Sequence, residues 1–377
     1  MNVRGENTRL KRSMVIIIAV IVVMILGVLI RNIMTMASEN RYDDTSIETI
    51  GDYNSLGYTL VWEDDFNDVQ LSREDWNVEL HKPGWVNAEL QEYVDSDNNI
   101  YIEDGNLIIQ PIEIVGEEGD KYYTSGRVNT KDKHDFKYGL FEARLKVPKG
   151  MGFLPAFWMM PTEENFYGSW PRCGEIDIME VMGQSTNTLH GTIHYGNPHG
   201  QKQGTYIIDK KQPDFAEDYH TYACEWEPGK ITWYVDGIKF HEATDWYTKL
   251  EGSEPALYPA PFNQPFYIIL NVAVGGSWVG YPDKTTRFGD NAQMVVDYVR
   301  VYQKAEYNEK NYIRYGGDQT IALNKTKQTF SYEFDMKNED DTNSRFEITL
   351  GALESKATVY IDNIKVEKIG EYQIKKY

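Results

Sequence analysis

Along much of the chain, hydrophobic and polar residues alternate with a period of two. Residues 141–147 (Phe-Glu-Ala-Arg-Leu-Lys-Val) are the clearest case, and on a strand this alternation sends successive side chains to opposite faces of a sheet. Short runs rich in β-branched and aromatic residues recur at 60–62, 107–109, 139–147, 231–235, 266–272 and 295–302, separated by turn-forming residues. Asp104-Gly105 and Asp236-Gly237 lie between such runs and predict two-residue hairpin turns. No long helical pattern interrupts the series. The spacing predicts an all-β, two-sheet antiparallel sandwich.

The ends of the chain read differently. Arg4, Arg9, Lys11 and Arg12 precede an unbroken apolar run from Met14 to Ile30, which Arg31 closes. This is the pattern of an export signal. The run is slightly shorter than the ~20 residues of a usual span, and no small-x-small cleavage site follows. An uncleaved signal anchor is therefore favoured over a cleaved peptide, with the N-terminus in the cytoplasm and the rest outside. No cysteine follows the run, so a lipoprotein anchor is excluded. The expected division is a signal anchor or signal peptide at 1–36, a polar and acidic linker at 37–55, the β-sandwich at 56–303 and a small β segment at 304–377. The last segment alternates at 330–336 and 357–366. A sheet of about four strands is marginal alone, so it leans on the sandwich or belongs to a truncated module.

Bulk properties narrow the partners. The net charge of −20 repels nucleic acid and anionic polymers at long range, whereas a neutral polysaccharide meets no such penalty. Aromatic residues make up 13% of the chain, with 27 Tyr and 9 Trp. They suit either stacking on sugar rings or packing in a β-rich core. Cys173 and Cys224 are the two cysteines, which excludes a disulfide framework but leaves a single bridge open. Cys173 reads as a small packing residue. A monomer is expected.

The candidate chemistry lies at 174–181, Gly-Glu-Ile-Asp-Ile-Met-Glu-Val. On a strand Glu175 and Asp177 share one face, with Ile176 and Ile178 on the other. Strict alternation would next bring Met179 to the acidic face. A one-residue bulge near Met179 instead returns Glu180 to it. In a chain with 58 acids among 377 residues such a spacing arises by chance about once, so the apolar fillers and the aromatic surroundings, Phe157, Trp158 and Trp170, carry the reading. Two carboxyls about 5 to 5.5 Å apart are what a retaining glycosidase uses. Glu175 and Glu180 are that pair, as nucleophile and acid/base, with Asp177 tuning them from between.

This stretch resembles the Glu-x-Asp-x-x-Glu signature of family 16 glycoside hydrolases, in the bulged form of laminarinase-like endo-β-1,3-glucanases. The resemblance runs from about Tyr58 to Gln303. It implies a β-jelly roll whose curved inner sheet forms an open cleft. The final strands, in turn, resemble the end of a carbohydrate-binding module. Residues 84–91 resemble a substrate-contacting stretch of the same group, departing from it at Val86 and Ala88, and the resemblance implies substrate contacts from Trp85, Asn87 and Glu89. Arg127 offers a planar fork either to sugar hydroxyls and catalytic carboxylates or to a structural ion pair. Trp158, Trp170 and Trp278 are candidate cleft tryptophans, with Trp158 also readable as core. His194 is placed to donate to the sugar on the leaving-group side or to Glu180. Asp65, Gly105 and Asp297 resemble a structural calcium site, in which Asp64 or Glu63 could replace Asp65.

The sequence thus implies an exported retaining endo-β-1,3-glucanase that acts on laminarin-like glucans and needs no cofactor for its chemistry. The alternatives are a licheninase acting on mixed β-1,3-1,4-glucan and a non-catalytic β-glucan-binding protein. Glu175, Asp177 and Glu180 are all intact, which favours the enzyme.

Overall fold

The computed structural model describes residues 49–249 and 254–307. The expected signal run, most of the linker and the expected β segment from 308 onward lie outside the described residues. The described part is all-β, with nineteen strands and one 3-10 turn at Asp290–Ala292. Among the described residues no helix is long and apolar enough to cross a membrane.

Two eight-stranded sheets face each other. The outer sheet runs in the order β17 (Ile238–Ala243), β16 (Lys230–Val235), β15 (His220–Glu227), β10 (Gly139–Lys146), β19 (Met294–Lys304), β5 (Asn106–Ile109) and β4 (Ile100–Glu103), with β1 (Tyr58–Asp64) also on β19. The inner sheet runs β14 (Gly200–Ile207), β13 (Thr188–Tyr195), β12 (Glu175–Val181), β11 (Phe153–Pro161), β18 (Phe266–Val274), β8 (Arg127–Asn129) and β2 (Asn77–Val78), with β9 (Asp135–Phe136) also on β18. All of these neighbours are antiparallel. A small third sheet joins β3 (Gln91–Tyr93), β7 (Lys121–Ser125) and β6 (Ile112–Val115), its β3–β7 pair being parallel.

Period-two patterning does the sorting. Phe141, Ala143 and Leu145 of β10 and Val296, Val299 and Val301 of β19 meet Phe157, Ile176, Ile193, Ile268 and Leu270 of the inner sheet in one core. Burying these side chains is the main stabilising contribution, at roughly 1.5–3 kcal/mol for each large one. Both predicted hairpins form. Asp104 and Gly105 (φ 50° and 70°) join β4 to β5, and Asp236 and Gly237 (φ 49° and 77°) join β16 to β17. Positive φ at both central residues matches the right-handed twist of the strands.

Three expectations need adjustment or closing. Residues 49–55, read as linker, belong to the fold: Thr49 bridges to Ile238, the Ile50 N–H donates to the Gly237 carbonyl at 2.8 Å, and the Tyr53 hydroxyl donates to Glu142. Two apolar side chains in a polar stretch, Ile50 and Tyr53, cover a patch of Tyr58, Leu140, Ala223 and Tyr234. Both cysteines are free and buried, and Cys173 packs with Met160, Tyr267 and Ile269 as a small apolar residue. Strand β14 lies outside every predicted run, because it is an edge strand whose residues are largely polar.

Candidate active site

Strand β12 carries the bulge that its acid spacing requires. Against β11, Ala156 faces Glu180, Phe157 faces Met179, Trp158 faces Asp177 and Met159 faces Ile176. Phe157 and Trp158 are adjacent, so Ile178 is the extra residue between their partners. Ile176, Ile178, Met179 and Val181 all enter the core. Glu175, Asp177 and Glu180 stand on the opposite face. The core also grips the bulge: the buried Trp233 indole of β16 donates to the Asp177 carbonyl at 2.8 Å. Gly191 on β13 leaves room for that indole, since a Cβ there would lie 2.6 Å from its ring.

Strand register turns this face into rows that run across the sheet. One row is Thr205, His190, Glu180, Ala156, Asn271 and Arg127, and the next is Gln203, Thr192, Asp177, Trp158, Ile269 and Asn129. Gln201, His194 and Glu175 begin a third. Polar side chains therefore flank the acids on both sides. A polymer laid across the strands meets hydrogen-bonding groups before and after the carboxyls.

The three acids are far from ordinary carboxyls. Glu180 is pushed up to about 8, first by burial and then by the charge of Glu175. Asp177 is held well above its usual range by burial, by the charges of both glutamates and by its hydrogen bond with Glu175. Burial also raises Glu175, but only to about 7, because the Trp170 indole, the Arg127 charge and Asp177 favour its ionised form. Trp170 Nε1 donates to Glu175 Oε2 at 2.9 Å. Glu175 is thus the glutamate built to be ionised, and Glu180 the one built to hold a proton.

His194 lies opposite Glu175, with Nε2 3.5 Å from Asp177 Oδ2 and 3.9 Å from Glu175 Oε1. Burial, reinforced by the neighbouring His199, lowers it to about 4, so it faces the acids as a neutral ring. The expectation that it reaches Glu180 is corrected by the register: the residue opposite Glu180 is His190, whose ring meets the edge of Trp278 at 5.4 Å. His190 was not singled out from sequence. A lone strand histidine carries no mark of which cross-strand neighbour it will meet.

The other predicted substrate residues gather around the same face. Trp158 is partly buried and donates from Nε1 to Asn271 at 2.7 Å, and Asn271 in turn donates to the Tyr93 hydroxyl at 3.1 Å. For Arg127 the ion-pair alternative holds, with Nε 2.8 Å from Glu79 and the guanidinium 5.3 Å from the Trp85 ring and 4.7 Å from the Trp158 ring. Trp85 is half exposed yet stacks on His81 at 3.5 Å. Glu89 accepts from Gln91 at 2.8 Å and is raised by burial. Asn87 offers its amide to Glu89, and its carbonyl accepts from the Ser277 N–H at 2.9 Å, which ties its loop to the one bearing Trp278. Trp170 and Trp278 remain about half exposed, as walls of a cleft do.

The calcium candidates are engaged by neighbours of their own. Asp65 accepts from Asn67, Gly105 sits in its hairpin turn beside that same Asn67, and Asp297 accepts from Arg144 at 2.6 Å. Asp64 accepts from the Phe66 N–H and the Trp76 indole, and Glu63 pairs with Arg300. Arg144 pairs with the Asp297 carboxylate that a cation there would have to take over.

The sequence profile of glycosyl hydrolases family 16 matches residues 85–300. The chain is 41% identical over 280 residues to the glucan endo-1,3-beta-glucosidase A1 of Niallia circulans, covering 70% of this chain and 40% of that longer protein. It is 39% identical over 260 residues to a beta-glucanase of Rhodothermus marinus, covering 66% of this chain and 86% of the relative. Among solved structures it is similar to the catalytic domain of an endo-1,3-beta-glucanase (laminarinase) from Thermotoga petrophila RKU-1. That match has a TM-score of 0.57 and 38% identity, and covers 66% of this chain and 98% of the other.

Proposed function

The chain belongs to glycosyl hydrolases family 16, and from that premise we propose that it hydrolyses internal β-1,3-glucosidic bonds of laminarin-like glucans with retention of configuration. The observation that carries the proposal is the bulge at Ile178, which lines up Glu175, Asp177 and Glu180 across an open sheet face.

Glu175 attacks the anomeric carbon of the sugar, while Glu180 gives its proton to the glycosidic oxygen and the bond to the leaving chain breaks. A covalent glycosyl-enzyme results. Glu180, now a carboxylate, takes a proton from water, which attacks the same carbon, restores Glu175 and releases a β product. Asp177 stays protonated and hydrogen-bonds Glu175, which keeps that carboxylate aimed and lowers its basicity as a leaving group. His190, Thr192 and the Gln203–Thr205 edge lie on one side of the acids, and Trp158 and Asn271 on the other. Sugar sites on both sides support cutting within a chain. The low density of cationic groups at the acids, where Arg127 is already paired with Glu79, supports a neutral polymer over a sulfated one. The basic residues and apolar run at 4–31 support a sandwich held outside the cytoplasm by an N-terminal anchor.

The test is product analysis on laminarin, curdlan, mixed-linkage glucan and agarose. Laminarin and curdlan are expected to fall to short β-1,3 oligosaccharides while agarose stays intact. Cleavage of mixed-linkage glucan with laminarin untouched would replace the substrate. Binding without cleavage would turn the reading toward a glucan receptor.

A further inference from the structure

Among the described residues one group of side chains has the geometry of a metal site: Glu175, Asp177 and His194 place one oxygen or nitrogen each within 4.8 Å of one another. We infer that this trio is a binding site for a zinc-like divalent transition-metal ion that occludes the nucleophile.

The separations carry the argument. In a tetrahedral zinc site with bonds of about 2.0–2.2 Å, ligand atoms lie roughly 3.3–3.6 Å apart. His194 Nε2 is 3.5 Å from Asp177 Oδ2 and 3.9 Å from Glu175 Oε1, so two of the three separations lie within a few tenths of an ångström of that geometry, and the two carboxylate oxygens are within 4.8 Å of each other. The ligand atoms are also the available ones. Asp177 Oδ2 is buried and has no hydrogen-bond partner, on a side chain that is 4% exposed. Such an atom is costly to leave unsatisfied, and it points at the imidazole. Glu175 binds Trp170 through Oε2, which leaves Oε1 toward the histidine.

His194 is oriented for the task by its other nitrogen. Nδ1 lies 2.9 Å from His199 Nε2, the outer contact that fixes tautomer and ring plane for a metal-bound imidazole. An ion there displaces the proton that Asp177 otherwise holds, and two carboxylates and an imidazole favour zinc or copper over calcium or magnesium, which prefer all-oxygen sites. Glu175 and His194 are each slightly exposed, so an ion can enter from the cleft, with water as fourth ligand. An ion there occupies the atom that attacks the sugar, so metal and glucan exclude each other.

Calorimetric titration of Zn²⁺ into the full-length protein tests the site without reference to turnover. One ion per chain is expected at this site, with affinity lowered at least about 100-fold in His194→Ala and about 10- to 100-fold in His199→Ala. His199 touches neither acid among the contacts described, so this second variant decides the matter where His194→Ala fails to fold. No zinc binding by the wild type, or affinity unchanged in both variants, overturns the inference. So does zinc that binds without slowing laminarin hydrolysis. A protein that binds zinc as described but cuts no glucan contradicts the preceding function and leaves the metal site standing.

Discussion

Glu175→Gly is expected to reduce kcat on laminarin by about 10⁴-fold or more, with the fold and glucan binding preserved. Gln or Ala at this position should do likewise, but Gly opens the most space. The expectation rests on Glu175 being the carboxylate that the site keeps ionised: the Trp170 indole donates to it at 2.9 Å, and Asp177 and Arg127 favour its charge. Without it no covalent intermediate forms. Added azide can then enter the vacated space on the α face and attack the anomeric carbon of a substrate with a good leaving group, while Glu180 still protonates the departing oxygen. The expected product is the α-glycosyl azide, seen by proton NMR. Wild-type activity in the variant would remove Glu175 from the mechanism, and a β-azide would give it the other role.

The second largest effect belongs to Glu180. Glu180→Ala is expected to cost about 10²- to 10⁴-fold on laminarin, where the leaving group needs a proton, and far less on an aryl glycoside whose leaving group does not. Here azide attacks the intermediate on Glu175 from the β face, giving the β-azide. The pH profile follows from the same residue. Glu180 must be protonated to act, so wild-type kcat/KM falls as pH rises through about 8. Glu175 must be ionised, so activity also falls as pH drops below about 7. The alkaline limb should vanish in Glu180→Ala measured on the aryl substrate. A limb that persists there would assign it to another group.

The sequence carried this fold through local rules. Alternation at 141–147 and the Asp-Gly turns depend on nearest neighbours along the chain, and they appear in the structure as β10 and two hairpins. The bulge was legible for a chemical reason: three acids at that spacing share a face only if one residue is skipped, and Ile178 is that residue. What stayed hidden depends on partners far away in sequence. The contact of Trp233 with the Asp177 carbonyl spans 56 positions. The place of His190 opposite Glu180 is fixed by the register of β12 against β13, which no single residue announces. Arg127 exposed both of its possible uses in the sequence, and only the approach of Glu79 from β2's flank chose the ion pair. The same holds for Arg144, which takes up the Asp297 carboxylate from a neighbouring strand. Strand β14 was missed because an edge strand needs few apolar residues, and its polarity reads as loop.

The most direct test of double displacement is proton NMR of the wild-type protein acting on laminarin in deuterated buffer, followed from the first seconds. New reducing ends are expected to appear as the β anomer, with the α signal growing afterwards at the rate of mutarotation. Reducing ends that appear first as α would mean a single displacement by water, and would contradict the roles given to Glu175 and Glu180.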